Sequence, residues 1–273
     1  GKYSCTQMEQ WKKQPSRYQI ALAKEFNEKR TSNFAPAFMS EDGDAVVFTS
    51  NRQEKSTNSK KKKIRTSPVT GVATFNLYSI RKNAAGKWED IELCEGLYQP
   101  ADSEDSEEGG QNKATSAELG VCCFSPDGKT MYFTYSCPIN GQDLGAKIYS
   151  STRASGEWGE GQEIKLFADS SITVGHPALS AHGDTLYFVS DAPGGYGGKD
   201  IYMAILDGSE WTDIQNLGPQ INTADDELFP HIRPDGRLYF SSKGHPGYGG
   251  LDLFYAEINP EASSQHSDTI QWN

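Results

Sequence analysis

Apolar and polar positions alternate along this chain in a phrase that is written four times. A small apolar strand start leads to a Ser or Arg, a turn closed by Gly, an aromatic strand, and a further strand ending in Tyr or Phe. Around Gly128 it reads Phe124-Ser125-Pro126-Asp127-Gly128-Lys129-Thr130-Met131-Tyr132-Phe133, followed by Ile148-Tyr149 and Gly156-Glu157-Trp158. The same order returns around Gly43 (Ser40, Phe48, Tyr78, Trp88), around Gly183 (Ser180, Phe188, Tyr202, Trp211) and around Gly236 (Pro234-Asp235, Phe240, Phe254). A strand-rich repeat of this length predicts a propeller, because one such unit cannot bury its apolar face without stacking on a neighbour.

The register is strict. From turn glycine to strand phenylalanine the step is five residues in three copies (43 to 48, 128 to 133, 183 to 188) and four in the last (236 to 240). The glycines themselves lie 85, 55 and 53 residues apart, so the first interval holds extra loop. Each repeat reads as four strands, a to d. Strand a ends at the turn, where Asp-Gly suits a tight hairpin. Strand b follows at once, as in Thr185-Leu186-Tyr187-Phe188-Val189-Ser190, rich in residues that favour strands. Strand c carries Asp200-Ile201-Tyr202 or Asp252-Leu253-Phe254, and strand d opens at Trp88, Trp158 or Trp211, read as outer packing residues.

Antiparallel order sorts the loops. The a–b and c–d turns fall on one side of the disc, and the b–c loops and d–a connections on the other. That second side collects the unusual segments. The third and fourth b–c loops are near copies, Gly194-Gly195-Tyr196-Gly197-Gly198-Lys199-Asp200 and Pro246-Gly247-Tyr248-Gly249-Gly250-Leu251-Asp252. The first b–c loop holds Lys60-Lys61-Lys62-Lys63-Ile64-Arg65, and the first d–a connection holds Asp102, Glu104, Asp105, Glu107 and Glu108. The glycine-tyrosine loops read either as two rings with open backbone amides offered to a glycan or peptide, or as rigid turns whose tyrosines cover the rim. The lysine run reads as a patch for an anionic partner or as a solvated insertion, and the acidic stretch as disorder-prone. Candidate binding residues are therefore Tyr196, Tyr248, Gly195, Gly197, Gly247, Gly249, Lys61, Lys62 and Lys63. Asp127, Gly128, Asp235, Gly236, Asp200 and Asp252 are expected to act structurally, the last two by accepting amide hydrogen bonds.

The 273 residues fit one all-β domain, with four repeats over 34–258 between closing segments 1–33 and 259–273. Tyr3-Ser4 and Trp11 look like the outer half of another blade, and Leu22 and Phe26-Asn27 echo Leu217 and Ile221-Asn222. A helix over Ser16 to Arg30 is the rival. Ile270-Gln271-Trp272 is read as a closing strand, which leaves four and five blades both open. A chain that begins at Gly1 without Met is expected to be a processed form.

Charge narrows the partners. With 26 Lys and Arg against 37 Asp and Glu, the net charge of -11 argues against nucleic acid over most of the surface. No run approaches the eighteen or so apolar residues of a membrane span. Five cysteines (Cys5, Cys94, Cys122, Cys123, Cys137) leave at least one thiol unpaired and make no disulfide framework in a chain this long. Cys122 and Cys123 stand where the third repeat has Pro177 and Ala178, so they read as packed strand residues. Neither zinc nor a redox pair is indicated.

The Ser-Pro-Asp-Gly and Arg-Pro-Asp-Gly turns, the Gly-Tyr-Gly-Gly-x-Asp loops and the segment Asn216-Leu217-Gly218-Pro219-Gln220-Ile221-Asn222-Thr223 with Asp226-Glu227 and Pro230 resemble the TolB-like, WD-type propeller repeats of bacterial envelope proteins. They are similar above all to those of Bacteroidetes lipoproteins that carry an OmpA-type domain. The resemblance covers Leu22 to Ile258. It implies a non-catalytic, periplasmic protein-interaction scaffold, associated with the outer membrane in the full-length protein. Its partners would be envelope or secretion-system proteins of a type IX-like complex, with peptidoglycan linkage through domains outside this chain. No cofactor and no direct membrane span are implied. Ala181-His182 departs from the Pro-Asp of the turn, and Cys122 from the usual Pro.

The alternative is a glycan-binding or glycan-processing propeller. Against catalysis, Ser125-Pro126-Asp127-Gly128 misplaces the glycine of a sialidase-type turn, and no nucleophile elbow, zinc helix or phosphate loop is present. The histidines (His176, His182, His231, His245, His266) occupy non-equivalent repeat positions, and Asp225-Asp226-Glu227, carboxylates that could serve glycoside chemistry, lie in a repeated segment.

Overall fold

A computed structural model describes residues 21–40, 42–52, 66–67, 71–97, 117–136 and 145–257, together with residues 9, 10, 12, 13 and 19. The strands group into four antiparallel sheets. Blade 1 is β1 (Asn33–Phe38), β2 (Ala45–Ser50), β3 (Asn76–Lys82) and β4 (Trp88–Leu93). Blade 2 is β5 (Glu118–Phe124), β6 (Thr130–Ser136), β7 (Ala146–Ala154) and two short outer strands, β8 (Glu157–Trp158) and β9 (Gln162–Glu163). Blade 3 is β10 (Val174–Leu179), β11 (Thr185–Ser190), β12 (Asp200–Asp207) and β13 (Glu210–Asn216). Blade 4 is β14 (Glu227–Ile232), β15 (Arg237–Ser242) and β16 (Asp252–Glu257). The fold is a four-bladed β-propeller. Inner strands β1, β5, β10 and β14 line the axis, each packed on the next, and Phe34 meets Phe229 with ring centroids 6.2 Å apart.

The repeated phenylalanine is the pivot of each blade. Phe48, Phe133, Phe188 and Phe240 sit in the second strand, almost wholly buried, and pair across to Tyr78, Tyr149, Tyr202 and Phe254. Burying each such ring is worth about 2–3 kcal/mol, and aromatic cross-strand pairs add to that. The preceding glycines have φ of 67°, 66°, 78° and 83°, a region that suits Gly. In the first two turns the Ser hydroxyl donates to an Asp one residue before the glycine, Ser40 to Asp42 and Ser125 to Asp127, each at 2.6 Å. Blade 3 has His182 there, and Ser180 instead donates to Asp184, one residue after the glycine, at 2.7 Å. The fourth turn is a residue shorter, closing Arg233 N–H on Arg237 C=O where blade 2 closes Ser125 on Thr130. That accounts for the step of four.

Two expectations change. The outer strand of blade 2 is broken between β8 and β9, both of which pair with β7. At the break Gly161 donates to Leu97 C=O at 2.8 Å, and a Cβ there would meet that same oxygen at 2.8 Å. Blade 4 shows three strands among the described residues, which end at Glu257. Among the described residues no helix runs through to Arg30: a 3₁₀ turn at Lys24–Phe26 is followed by extended Asn27 and then by a turn in which Arg30 has a φ of 66°. Tyr3, Trp11, Ile270 and Trp272, and with them the closing-strand expectation, lie outside the described residues.

The inner strands share a feature that the sequence did not announce. Each carries a bulge whose leading residue has positive φ: Ala35 (51°), Val121 (32°), His176 (51°) and Phe229 (54°). Such φ is costly for these residue types, and a clamp from the preceding blade holds two of them. Thr49 of β2 accepts the Val121 N–H at 2.9 Å, and Thr134 of β6 accepts the His176 N–H at 2.8 Å. These threonines directly follow the pivot phenylalanines. The equivalent in blade 3 is Val189, which has no hydroxyl, and there the Phe229 N–H goes to His176 Nδ1 at 3.2 Å.

Candidate functional site

The two glycine-tyrosine loops are built from their bases upward. Strand β11 ends in Ser190, whose hydroxyl accepts the Ala192 N–H, and β15 ends in Ser242, whose hydroxyl accepts the N–H groups of Gly244 and His245. Each loop thus starts from a capped strand end. At the far end stands the Asp that opens strand c. Asp200 is buried, and it accepts the Tyr196 N–H at 2.5 Å, the Gly197 N–H at 3.0 Å and the Asn216 side-chain amide at 2.9 Å. Asp252 accepts the Gly249 N–H at 3.0 Å. The backbone follows these carboxylates so closely that a Cβ on Gly195 or Gly247 would strike the Asp oxygens, and one on Gly197 would overlap Asp225 C=O.

The amides of Tyr196 and Gly197 are therefore turned inward onto Asp200, and that of Gly198 donates to Asp225 C=O at 3.0 Å. The picture of open amides is corrected for these three groups, because the carboxylate and the neighbouring connection consume them. What projects is the rings: Tyr196 and Tyr248 are both about half exposed.

The d–a connection between blades 3 and 4 joins the two loops into one surface. Glu227 N–H donates to Lys199 C=O at 2.7 Å and Lys243 N–H to Asp226 C=O at 3.1 Å, while the Lys243 ammonium pairs with the Asp226 carboxylate at 2.5 Å. That hydrogen bond, ahead of the cost of burial, holds the Asp226 carboxyl below its ordinary pKa. Beneath, Glu227 is fully buried, yet it accepts from Thr223 N–H, Thr223 hydroxyl and Ser242 hydroxyl. Asn222 brackets Ile201, accepting its N–H and donating to its C=O. A buried carboxylate with this many donors is compensated, which makes the floor of the surface rigid.

Asp127 and Asp235 lie on the opposite side, in the a–b turns, each accepting the N–H two residues on. The lysine run, with Lys61, Lys62 and Lys63, and the acidic stretch lie outside the described residues. The serine caps and the Asn216–Asn222 bracket are working residues that sequence reading passed over. The only signal for them was a serine recurring two places after the pivot phenylalanine.

Among the described residues no three His, Cys, Asp or Glu side chains gather as a metal site, and no helix is long and apolar enough to cross a membrane. Cys94, Cys122 and Cys123 are unpaired thiols, and burial pushes all three up, Cys94 to about 12. They carry almost no thiolate at neutral pH. His176 is lowered to about 4 by burial and then by the charge of Lys199, so it is neutral and free to accept from Phe229.

The site and fold together define a β-propeller with one braced loop face. No family model matches the chain, and no curated protein matches it. Solved structures do. A protein of unknown function from Dyadobacter fermentans aligns with a TM-score of 0.50 at 14% identity, over 88% of this chain and 64% of that one. TolB from Acinetobacter baumannii aligns with a TM-score of 0.40 at 16% identity, over 80% of this chain and 42% of that one. A thermostable family-43 glycoside hydrolase aligns with a TM-score of 0.47 at 16% identity, over 84% and 69%. This chain thus spans under half the length of TolB, and the likeness is one of fold.

Proposed function

We propose that this propeller is a non-catalytic protein-interaction scaffold that engages its partner through the b–c and d–a loop face. The observation that carries the reading is the pair of half-exposed tyrosines, Tyr196 and Tyr248, on loops whose bases are fixed by Asp200 and Asp252 and whose flanks are tied by Lys199, Asp226 and Lys243. Exposed rings on a rigid base lose little conformational entropy on contact, which is why tyrosines suit recognition surfaces. Loops on a fixed scaffold are also where binding usually resides. The repeat's resemblance to envelope propellers supports a periplasmic, outer-membrane-associated setting. Within that group the Asn216–Thr223 segment is similar to the propeller of PorE, a component of the type IX secretion system.

A second reading has its own support. Two half-exposed aromatic rings, Tyr196 and Tyr248, also suit a glycan, which would stack on the ring faces.

Both readings are separated by one experiment. The chain is used as bait for envelope extracts, with bound proteins identified by mass spectrometry and titrated individually. Y196A/Y248A is expected to lower affinity for an identified partner at least about tenfold while D127A/D235A, on the other face, leaves it nearly unchanged. If charge contributes, added salt weakens the contact. Binding that survives Y196A/Y248A but not D127A/D235A, or release of sugar from cell-wall glycan by the purified chain, would overturn the scaffold reading.

A further inference from the structure

The outer rim of the seam between blades 1 and 2 is charged where the seam between blades 3 and 4 is apolar. Strand β3 turns Ser79 and Arg81 toward blade 2, in register with Val47 and Ala45. At the equivalent places β12 turns Met203 and Ile205 toward blade 4, where both pack with Leu238, Phe240 and Ala256. In β7 those places fall to Ser150 and Thr152. Of these three seams, only the first carries a guanidinium there.

A cleft of about 640 Å³ is left between the two blades at this rim. Its far wall is the c–d hairpin of blade 2, which holds Arg153 in place. Arg153 Nε donates to Gly156 C=O at 2.8 Å, and the guanidinium lies 5.7 Å from the Trp158 ring centroid. One side is closed by close packing, because a Cβ on Gly96 would meet Trp158 C=O at 2.4 Å. Burial raises the Cys94 thiol in the wall, and the charges of Arg153 and Arg81 pull it back, so both guanidiniums stand around one point of the cleft. Among the described residues neither is in an ion pair, although Glu92, Glu95 and Glu157 line the same space.

We propose that this cleft binds a short peptide in its zwitterionic form, with the free carboxylate on Arg81 and Arg153 and the ammonium among the three glutamates. The lining selects that class. A simple anion would meet three carboxylates and a simple cation two guanidiniums, whereas a ligand carrying both charges finds a partner for each. Guanidinium forks match a carboxylate in geometry as well as in charge. Trp158 and Leu93 add apolar wall for the peptide's side chains, and the volume lies within the range of small-ligand sites. The cleft shares no residue with the glycine-tyrosine loop face, so either reading can fail and leave the other standing.

The test titrates the isotope-labelled 273-residue chain with triglycine, trialanine and trileucine, following the indole N–H resonance of Trp158, which W158F identifies. Trileucine is expected to shift that resonance with the highest affinity of the three, since its side chains reach Trp158 and Leu93. Its C-terminal amide and its N-acetyl form should each bind at least about tenfold more weakly, as should trileucine itself to R81M/R153M. R233M, at an exposed arginine of blade 4, should bind trileucine as the parent does. The blocked peptides are tried on the parent protein, so the test stands even where a double variant folds poorly. Three results would overturn the proposal. One is no shift from any of the three peptides at about 10 mM. Another is a blocked peptide, amide or N-acetyl, that binds as tightly as the free one. The third is a folded R81M/R153M protein whose Trp158 resonance shifts with the parent's affinity.

Discussion

His176 and Phe229 are joined twice: their rings stack with centroids 4.3 Å apart at an interplanar angle of 15°, and the Phe229 N–H donates to His176 Nδ1 at 3.2 Å. The imidazole thereby does the work that Thr49 and Thr134 do at the two preceding seams, and it can accept only while Nδ1 is unprotonated.

That dependence sets a pH window. His176 is lowered from 6.5 to about 4, first by burial and second by Lys199. A histidine held neutral in the fold contributes stability that is fully present above its unfolded value and is lost as pH falls from about 6.5 toward 4. H176F keeps a stacked ring and loses the acceptor. It is expected to be less stable than the parent at pH 7, by about 1–3 kcal/mol for the orphaned N–H, with the gap narrowing between pH 6.5 and 4. The comparison isolates His176 from His231, whose pKa is also lowered by burial. Denaturation midpoints that run parallel for both proteins across that range would contradict the assignment.

Thr134→Val removes the hydroxyl that holds His176 N–H and changes volume little. About 1–3 kcal/mol of stability should disappear in urea titration, and Thr49→Val should match it at the blade 1–2 seam. A threonine variant at Tyr132, on the same strand, serves to show the general cost of a change there.

Asp200 and Asp252 hold equivalent places but unequal numbers of partners. Replacement of Asp200 by Ala strips the Tyr196 and Gly197 amides and the Asn216 side chain of their acceptor in a buried setting, and should cost about 3 kcal/mol. Asp252→Ala, in a more exposed loop, should cost about 1 kcal/mol. Calorimetric melting of the two variants side by side checks the order.

Gly197→Ala places a Cβ 2.0 Å from Asp225 C=O, an overlap that forces the d–a connection away and should lower stability by about 2–3 kcal/mol. Gly194→Ala meets nothing within 4 Å but has φ of 90°, so its cost should be only the strain of about 1 kcal/mol. Equal melting temperatures for the two variants would show that the loop yields freely.

The blades were legible because the pivot phenylalanine, the turn glycine and the strand c aromatic answer one requirement each: the first two are the same residue in every copy, and the third is Tyr in three copies and Phe in the last. The Asp of the glycine-tyrosine loops was legible for the same reason, since a short acceptor beside several glycines has few other uses. The seam clamps were not, because Thr49, Thr134 and His176 meet one requirement with different chemistries at different places in the repeat. Positive φ at Val121 and Phe229 was equally hidden, as neither residue type favours it. The reading of open loop amides failed on a distance: only folding brings Asp200 within reach of Tyr196 and Gly197, and Asp225 within reach of Gly198.

Ser180 turning to Asp184 instead of to the residue ahead of Gly183 shows what the repeat conserves within this one molecule. The first three copies agree on a serine hydroxyl donating to a carboxylate and disagree on which position supplies that carboxylate. A text pattern demanding Pro-Asp-Gly would count two blades here, at Asp127 and Asp235, whereas a rule requiring only a hydroxyl or its substitute facing a carboxylate astride a left-handed glycine counts blades 1 and 3 as well. Drift in such a turn is thus free to move the acid past the glycine without a step through a broken hairpin, provided both positions are acidic for a time.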